Sequence, residues 1–216
     1  MTIRIALVDD QELVRLGFRM VLEAEDDVEV VGEAGDGAAG AALAARGDVD
    51  VVLMDVRMPG VDGIAATERI TARPEHPKVL VLTTFDLDEY AYAALRAGAS
   101  GFLLKDARPA ELIAAIRAVH AGDAALAPTV TRRMLEHFAS AAPASADASV
   151  LDVLTPRERE FLVAIAEGLT NDELARRFVL SESTVKTHVG RLLRKLDARD
   201  RVQLVILAYD LGLVGR

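Results

Sequence analysis

Five short apolar runs, each followed by a stretch of helical periodicity, constrain the first 120 residues more than any other feature. The runs are IRIALV (3–8), VEVVGEA (28–34), DVVLMD (50–55), KVLVLTT (78–84) and GFLLK (101–105). Helical patterns cover 11–24, 36–46, 62–73, 88–97 and 108–121. A mostly continuous apolar strand has no polar side to offer water, so it must be covered on both faces. Alternation with helices supplies the cover and the long crossovers that parallel pairing needs. The expected class is α/β, with a five-stranded parallel, doubly wound sheet and helices on both faces. In such sheets functional groups collect at the carboxyl ends of the strands, near the point where strand order reverses.

The pattern breaks after Gly122. PTVTRRMLEHF (128–138) reads as one amphipathic helix, and ASAAPASADAS (139–149) as a flexible tether. Helix starts then come in quick succession. Thr155-Pro156-Arg157-Glu158 and Thr170-Asn171-Asp172-Glu173 are capping boxes, Asp200 opens a third start, and a fourth helix begins near Ser181. The expected organisation is a domain over 1–123, a linker helix and tether over 124–150, and a smaller all-α domain of four helices over 151–216.

Charge divides along the same line. Residues 1–123 carry 22 acids against 12 bases, a net of −10, whereas 124–216 carry 12 against 13, a net of +1. Within 181–204, six bases face three acids. Such asymmetry suggests two modules with different partners, with nucleic acid a candidate for the second, although a basic helix face is often merely solvated. There is no cysteine, hence no disulfide, thiolate nucleophile or cysteine zinc site. The N-terminus MTIRIALVDD turns acidic after one short apolar run, unlike a signal peptide, and no segment has the roughly 18 continuous apolar residues of a membrane span. A cytoplasmic protein without a membrane partner is expected.

Polar residues stand at the strand ends: Asp9 and Asp10 after the first, Asp55 at the third, Thr83 at the fourth and Lys105 at the fifth. In a parallel sheet these ends converge on one edge. Three clustered carboxylates repel one another unless a cation sits among them. Hard oxygen donors suit Mg²⁺, and a hydroxyl and an ammonium beside them suit a phosphoryl group. Asp55 is then a nucleophile that forms an aspartyl phosphate. Taken singly, each residue has an ordinary alternative, such as Asp10 capping the helix over 11–24.

In these stretches, VDDQELVR, MDVRMPGVDG, LTTFDLDEYAYAALRAGASGFLLKD and LTPREREFLVAIAEGLTNDELARRFVLSESTVKTHVGRLLRKL, the chain resembles two-component response regulators of the NarL/FixJ group. They combine a flavodoxin-like receiver with a LuxR-type helix-turn-helix. The resemblance implies phosphorylation of Asp55 by a sensor histidine kinase. It implies Mg²⁺ held by Asp10, Asp55 and the backbone carbonyl of Arg57, with Asp9 acting through water. It also implies that Lys105 binds phosphoryl oxygens and that Thr83 moves toward them while Phe102 fills the space left. Many receivers carry Tyr at the position of Phe102, and many have Pro where Asp106 follows Lys105.

In the second module, the helical patterns 171–177 and 181–196 are joined by a tight FVLS connection, a helix-turn-helix arrangement. Val185, Val189, Leu192, Leu193 and Leu196 form the expected buried stripe. The LuxR-type resemblance implies contacts to double-stranded DNA from Ser183, Thr184, Lys186, Thr187, His188, Gly190, Arg191 and Arg194; His188 reads as a packing or phosphate contact and not a metal ligand, since no second His or Cys accompanies it. Some members of the family have a base-contacting Lys where this chain has Gly190. The family further implies homodimerisation on phosphorylation, through the first and fifth helices or the side of the fourth and fifth strands, and a dimer contact by the last helix, 201–214.

Three rivals share parts of this pattern. A Mg²⁺-dependent phosphohydrolase would need a second acid/base Asp two residues after Asp55, where the chain has Arg57. A receiver with a protein-binding output would not need the basic surface over 181–201. A regulator that ignores phosphorylation would not need the acidic set with Thr83 and Lys105. The expectation is therefore a transcription factor and not an enzyme.

Overall fold

A computed structural model of the chain describes residues 2–73, 76–84, 87–122, 125–126 and 148–214. The chain divides into two compact units, Met1–Val130 and Thr131–Arg216. The expected linker helix over 128–138 and nearly all of the tether over 139–149 lie outside the described residues.

The first unit alternates β1 (Ile3–Val8), α1 (Glu12–Leu22), β2 (Val28–Ala34), α2 (Gly37–Ala44), β3 (Val51–Asp55), α3 (Gly63–Thr71), β4 (Lys78–Thr83), α4 (Leu87–Arg96), β5 (Gly101–Leu104), α5 (Pro109–His120) and β6 (Ala125–Leu126). All strand pairs are parallel, in the order β2-β1-β3-β4-β5-β6. Every expected strand and helix of this unit is present. The sixth strand is an addition: Ala125 and Leu126 pair with Gly101 and Phe102 inside the segment read as linker. Two residues are too few to show a periodicity, so this edge could not be read from the sequence.

β3 is buried along its whole length, as its unbroken apolar run requires. On one side of the sheet, Ile5, Leu7, Leu53 and Leu80 pack with Leu22 of α1 and Ile113 and Ile116 of α5. The order reverses between β1 and β3, so the residues leaving these two strands, Asp9 and Asp55, flank the switch point. Asp10 does not cap α1. That helix begins after Gln11 with no side-chain cap, and it is Asp9 Oδ1 that accepts the Gln11 N–H, at 2.9 Å.

The second unit follows a short 3₁₀ turn (Ala148–Val153) with α6 (Pro156–Ala166), α7 (Asn171–Phe178), α8 (Glu182–Lys195) and α9 (Arg201–Asp210). All four expected helix starts are present, each with a side-chain cap. Thr155 and Thr170 close reciprocal boxes with Glu158 and Glu173, Ser181 accepts from the Thr184 N–H, and Asp200 accepts from Val202 and Gln203. The core is Phe161, Leu162, Ile165, Leu174, Val185, Val189, Leu192 and Leu204. α9 places Leu204, Val205 and Ala208 in this core, and its Val202 and Ile206 are also buried. Part of its apolar run is therefore accounted for by the domain core. The turn between α7 and α8 holds Val179 at φ 56° with the side chain exposed. A β-branched residue in this region is strained, and it ends α7 where glycine or asparagine would do so more easily.

Candidate functional site

Lys105 leaves β5 and reaches back over the sheet edge. Its Nζ lies 2.6 Å from Asp9 Oδ2 and 3.0 Å from Asp55 Oδ2. All three side chains are almost fully enclosed, at 8%, 4% and 6% exposure respectively. Asp10 is exposed, yet its carboxylate joins those of Asp9 and Asp55 in one cluster, with ligand atoms within 4.8 Å of one another. Three carboxylates and one ammonium leave about two negative charges in a small volume. Burial pushes the Asp55 carboxyl above its ordinary range. The Lys105 ammonium opposes this, while the neighbouring Asp9 adds to it. The donor set is hard oxygen with uncompensated negative charge, which fits a divalent cation such as Mg²⁺.

The β3–α3 connection fixes Asp55 from behind. The Gly63 N–H donates to the Val56 carbonyl at 2.9 Å, and the Val56 N–H donates to Leu82 at 3.2 Å. A Cβ added at Gly63 would lie 1.9 Å from the Asp55 carbonyl oxygen, so no other residue fits without moving the backbone of the acidic residue itself. Arg57 is exposed just beyond the strand. Thr83 ends β4 almost wholly buried, with its carbonyl accepting the Lys105 N–H at 2.7 Å. Phe102 is fully buried, on β5 opposite Val81 of β4. The Lys105–Asp106 peptide is trans.

In the second unit α8 has the expected two faces. Val185, Val189, Leu192 and Leu196 are buried, and Leu193 is half-buried. Lys186, Thr187, Arg191 and Arg194 are exposed. The hydroxyls of Ser183 and Thr184 gather around Ser181 Oγ at 2.9 and 2.8 Å, and Thr187 donates to the Ser183 carbonyl at 3.0 Å. His188 takes the packing role, one of its two expected alternatives. Its half-buried ring stacks on Phe161, with centroids 4.7 Å apart, and its Nδ1 is buried without a hydrogen bond. The sequence did not disclose the partner, because Phe161 is 27 residues away on α6.

Lys195 is also withdrawn from the basic face. Its Nζ donates to Glu158 Oε2 at 2.8 Å and to the Val153 carbonyl at 3.0 Å, which ties the end of α8 to the start of α6. The Lys195 ammonium and the Thr155 N–H hold the Glu158 carboxyl down to about 2. A carboxylate with a depressed folded pKa contributes stability that is fully present above its ordinary value, about 4.5, and is lost as pH falls toward 2. We expect Glu158→Gln to weaken the acid dependence of the second unit in that window, read by circular dichroism against urea at stepped pH. An unchanged acid profile would mean that this pair carries no pH-linked stability.

Gly190 has open space where a Cβ would stand. Packing therefore does not require glycine at this point of α8. Gly190→Ala is expected to stabilise the second unit by about 0.8–1 kcal/mol, read from the urea midpoint. Gly190→Lys should in addition strengthen DNA binding and steepen its salt dependence, since it adds a base or phosphate contact. Weaker binding by the lysine variant would show that close backbone approach at this position matters more than a side chain.

The sequence of the first unit matches the response regulator receiver domain over residues 5–117, and the second matches the bacterial regulatory proteins of the luxR family over residues 152–208. The chain is a response regulator of the NarL/LuxR type. Over 212 residues it is 45% identical to the transcriptional regulatory protein YxjL of Bacillus subtilis, covering 98% of this chain and 97% of that one. The crystal structure of ChrA, from a heme-sensing two-component system, matches over 99% of both chains with 38% identity and a TM-score of 0.55. The structure of the response regulator RcsB bound to DNA matches over 97% of this chain and 99% of that one, at 26% identity and a TM-score of 0.57.

These matches make this response regulator a phosphorylation-controlled transcription regulator and not an enzyme. A receiver implies a histidine kinase as partner, and a LuxR-type domain implies DNA. Receivers hold Mg²⁺ at an acidic pocket, and Asp9, Asp10 and Asp55 form such a cluster here. Among the described residues no helix is long and apolar enough to cross a membrane.

Proposed function

We propose that the histidine kinase transfers its phosphoryl group to Asp55, and that the modified receiver promotes dimerisation and sequence-specific DNA binding by α8. The observation that carries this is the Lys105 ammonium bridging Asp9 and Asp55, both buried, at the switch point of the sheet. An Asp55 carboxylate oxygen attacks phosphorus, the P–N bond of the phosphohistidine breaks, and its electron pair leaves with the imidazole. Lys105 stands where it can release Asp55 and take up phosphoryl oxygens. Asp10, Asp55 and the Arg57 carbonyl would hold Mg²⁺ directly, and Asp9 through water. The bound ion would supply neutralisation of the carboxylates and the incoming phosphate.

Thr83 and Phe102 are the switch pair. Phosphorylation adds charge and acceptor oxygens that the Thr83 hydroxyl can meet. Phe102 has no hydroxyl to leave in water, so its inward position rests on apolar packing, in keeping with its complete burial.

The α1 surface supports a second copy of this chain as the dimer partner. Leu13, Leu16 and Met20 are 83%, 52% and 68% exposed and follow one another along one helix face. A contiguous exposed apolar stripe of this kind marks an interface, and a dimer would present two copies of α8 to two half-sites. Leu16→Arg is expected to keep the phosphorylated protein monomeric in sedimentation, while the wild type dimerises. Equal dimerisation would move the interface elsewhere.

On DNA, Lys186, Arg191 and Arg194 would contact bases and phosphates, with Ser183, Thr184 and Thr187 near the helix start. Titration of full-length protein with genomic promoter fragments, with and without phosphorylation, tests this reading. Tighter, salt-dependent and sequence-selective binding after phosphorylation supports it; identical binding in both states contradicts it.

A further inference from the structure

The exposed carboxylate of the acidic cluster poses a problem of placement. Asp10 makes no cap to α1, so the helix that follows does not fix its direction. Asp9 is held at both side-chain oxygens, by the Gln11 N–H and by Lys105. What remains to be set is the peptide between them, because its orientation determines where the Asp10 carboxylate projects.

Arg15 grips that peptide. From α1, its Nη1 donates to the Asp9 carbonyl at 2.6 Å, and its Nε donates to Glu33 Oε2 on β2 at 3.2 Å. The arginine side chain is only 17% exposed. Glu33 is itself anchored by Arg19, whose Nε and Nη2 approach Oε1 at 2.7 and 2.5 Å. Burial raises the Glu33 carboxyl, but the two guanidiniums outweigh it and keep it below its ordinary range, so the anchor stays charged. The result is a relay from β2 through α1 to the carbonyl of Asp9. The planar fork of arginine offers a separate nitrogen to each end, whereas a lysine would have to reach both from one ammonium.

We propose that Arg15 is a positioning residue for the cation site: it fixes the Asp9–Asp10 peptide so that the Asp10 carboxylate faces Asp55. The proposal rests on the reading of Asp9, Asp10 and Asp55 as the Mg²⁺ cluster. Arg15 touches neither the carboxylates nor any ion they would hold. Groups that orient ligands from outside commonly change metal affinity by about 10-fold or more when removed. A plain strut between α1 and β2 would behave differently, and Arg19 distinguishes the two. Arg19 bonds the same Glu33 from the same helix, but its other bond goes to Glu23 and not to the Asp9 carbonyl.

Isothermal titration of the full-length, unphosphorylated protein with MgCl₂ tests this, with urea unfolding run on each variant. Arg15→Gln is expected to weaken Mg²⁺ binding about 10-fold, Arg15→Lys to recover part of the loss through its single bond, and Arg19→Gln to bind as the wild type does. The phosphorylation rate of the Arg15 variants with a small phosphodonor should recover as Mg²⁺ is raised. Wild-type affinity in Arg15→Gln, or an equal loss in Arg19→Gln, would overturn the proposal. Should Arg15→Gln fail to fold, Arg15→Lys carries the same test, and wild-type affinity there overturns it. A wild type that binds no Mg²⁺ would instead overturn the cluster reading, and this inference with it.

Discussion

Gly63→Ala is expected to lower the melting temperature of the receiver on the order of 10 °C and to abolish most phosphorylation of Asp55. The added methyl would lie 1.9 Å from the Asp55 carbonyl oxygen and near its carbonyl carbon and Met54. Backbone atoms cannot rotate away as a side chain can. Relief therefore needs α3 or the end of β3 to shift, breaking the 2.9 Å bond from Gly63 to Val56. Overpacking of a tight core costs about 1–3 kcal/mol and more where backbone is struck, and about 3 kcal/mol in a domain of this size gives the stated shift. The second effect matters more for function. The same displacement moves the acceptor carboxylate, and phosphoryl transfer depends mainly on positioning. Differential scanning calorimetry and intact mass after a phosphodonor measure the two effects. A stable variant that phosphorylates normally would show that this connection yields easily.

Lys105→Met is the second large effect. The ammonium is the cation between two buried carboxylates, and its removal leaves Asp9 and Asp55 facing each other uncompensated. Breaking a buried ion pair in this one-sided way costs roughly 3–5 kcal/mol. We expect that loss in EDTA. We expect part of it to be regained in Mg²⁺, because a divalent cation can take over the neutralisation. Phosphorylation should nevertheless stay low, since methionine cannot bind phosphoryl oxygens. Urea unfolding in EDTA and in Mg²⁺ gives both numbers. Equal destabilisation in the two conditions would argue against a cation site at the cluster.

What the sequence disclosed and what it hid follow from the range of the interactions involved. The strands were legible because continuous apolar runs leave a chain few alternatives. The helix starts around Thr155, Thr170 and Asp200 were legible because a cap and its partner lie within three residues. Asp55, Thr83 and Lys105 could be grouped because a parallel sheet brings its strand ends together whatever the loops do. Contacts set by packing between distant segments were not legible. The stack of His188 on Phe161 and the tie from Lys195 to Glu158 join α8 to residues of α6 far away in the chain. The reach of Arg15 to the Asp9 carbonyl depends on where α1 lies over β2. Asp10 shows the limit of local reading: its position before a helix suggested a cap, but Asp9 takes the Gln11 N–H instead. Gly63 sat in plain view within MPGVDG, and only the geometry revealed that its hydrogen clears the Asp55 carbonyl.

Control of this response regulator rests on Asp55 as the acceptor of a phosphoryl group. Intact mass after incubation with Mg²⁺ and a small phosphodonor, with Asp55→Asn in parallel, tests it most directly. The wild type should gain one phosphoryl group and the variant none. A gain of the same size in Asp55→Asn would place the phosphate elsewhere and contradict it.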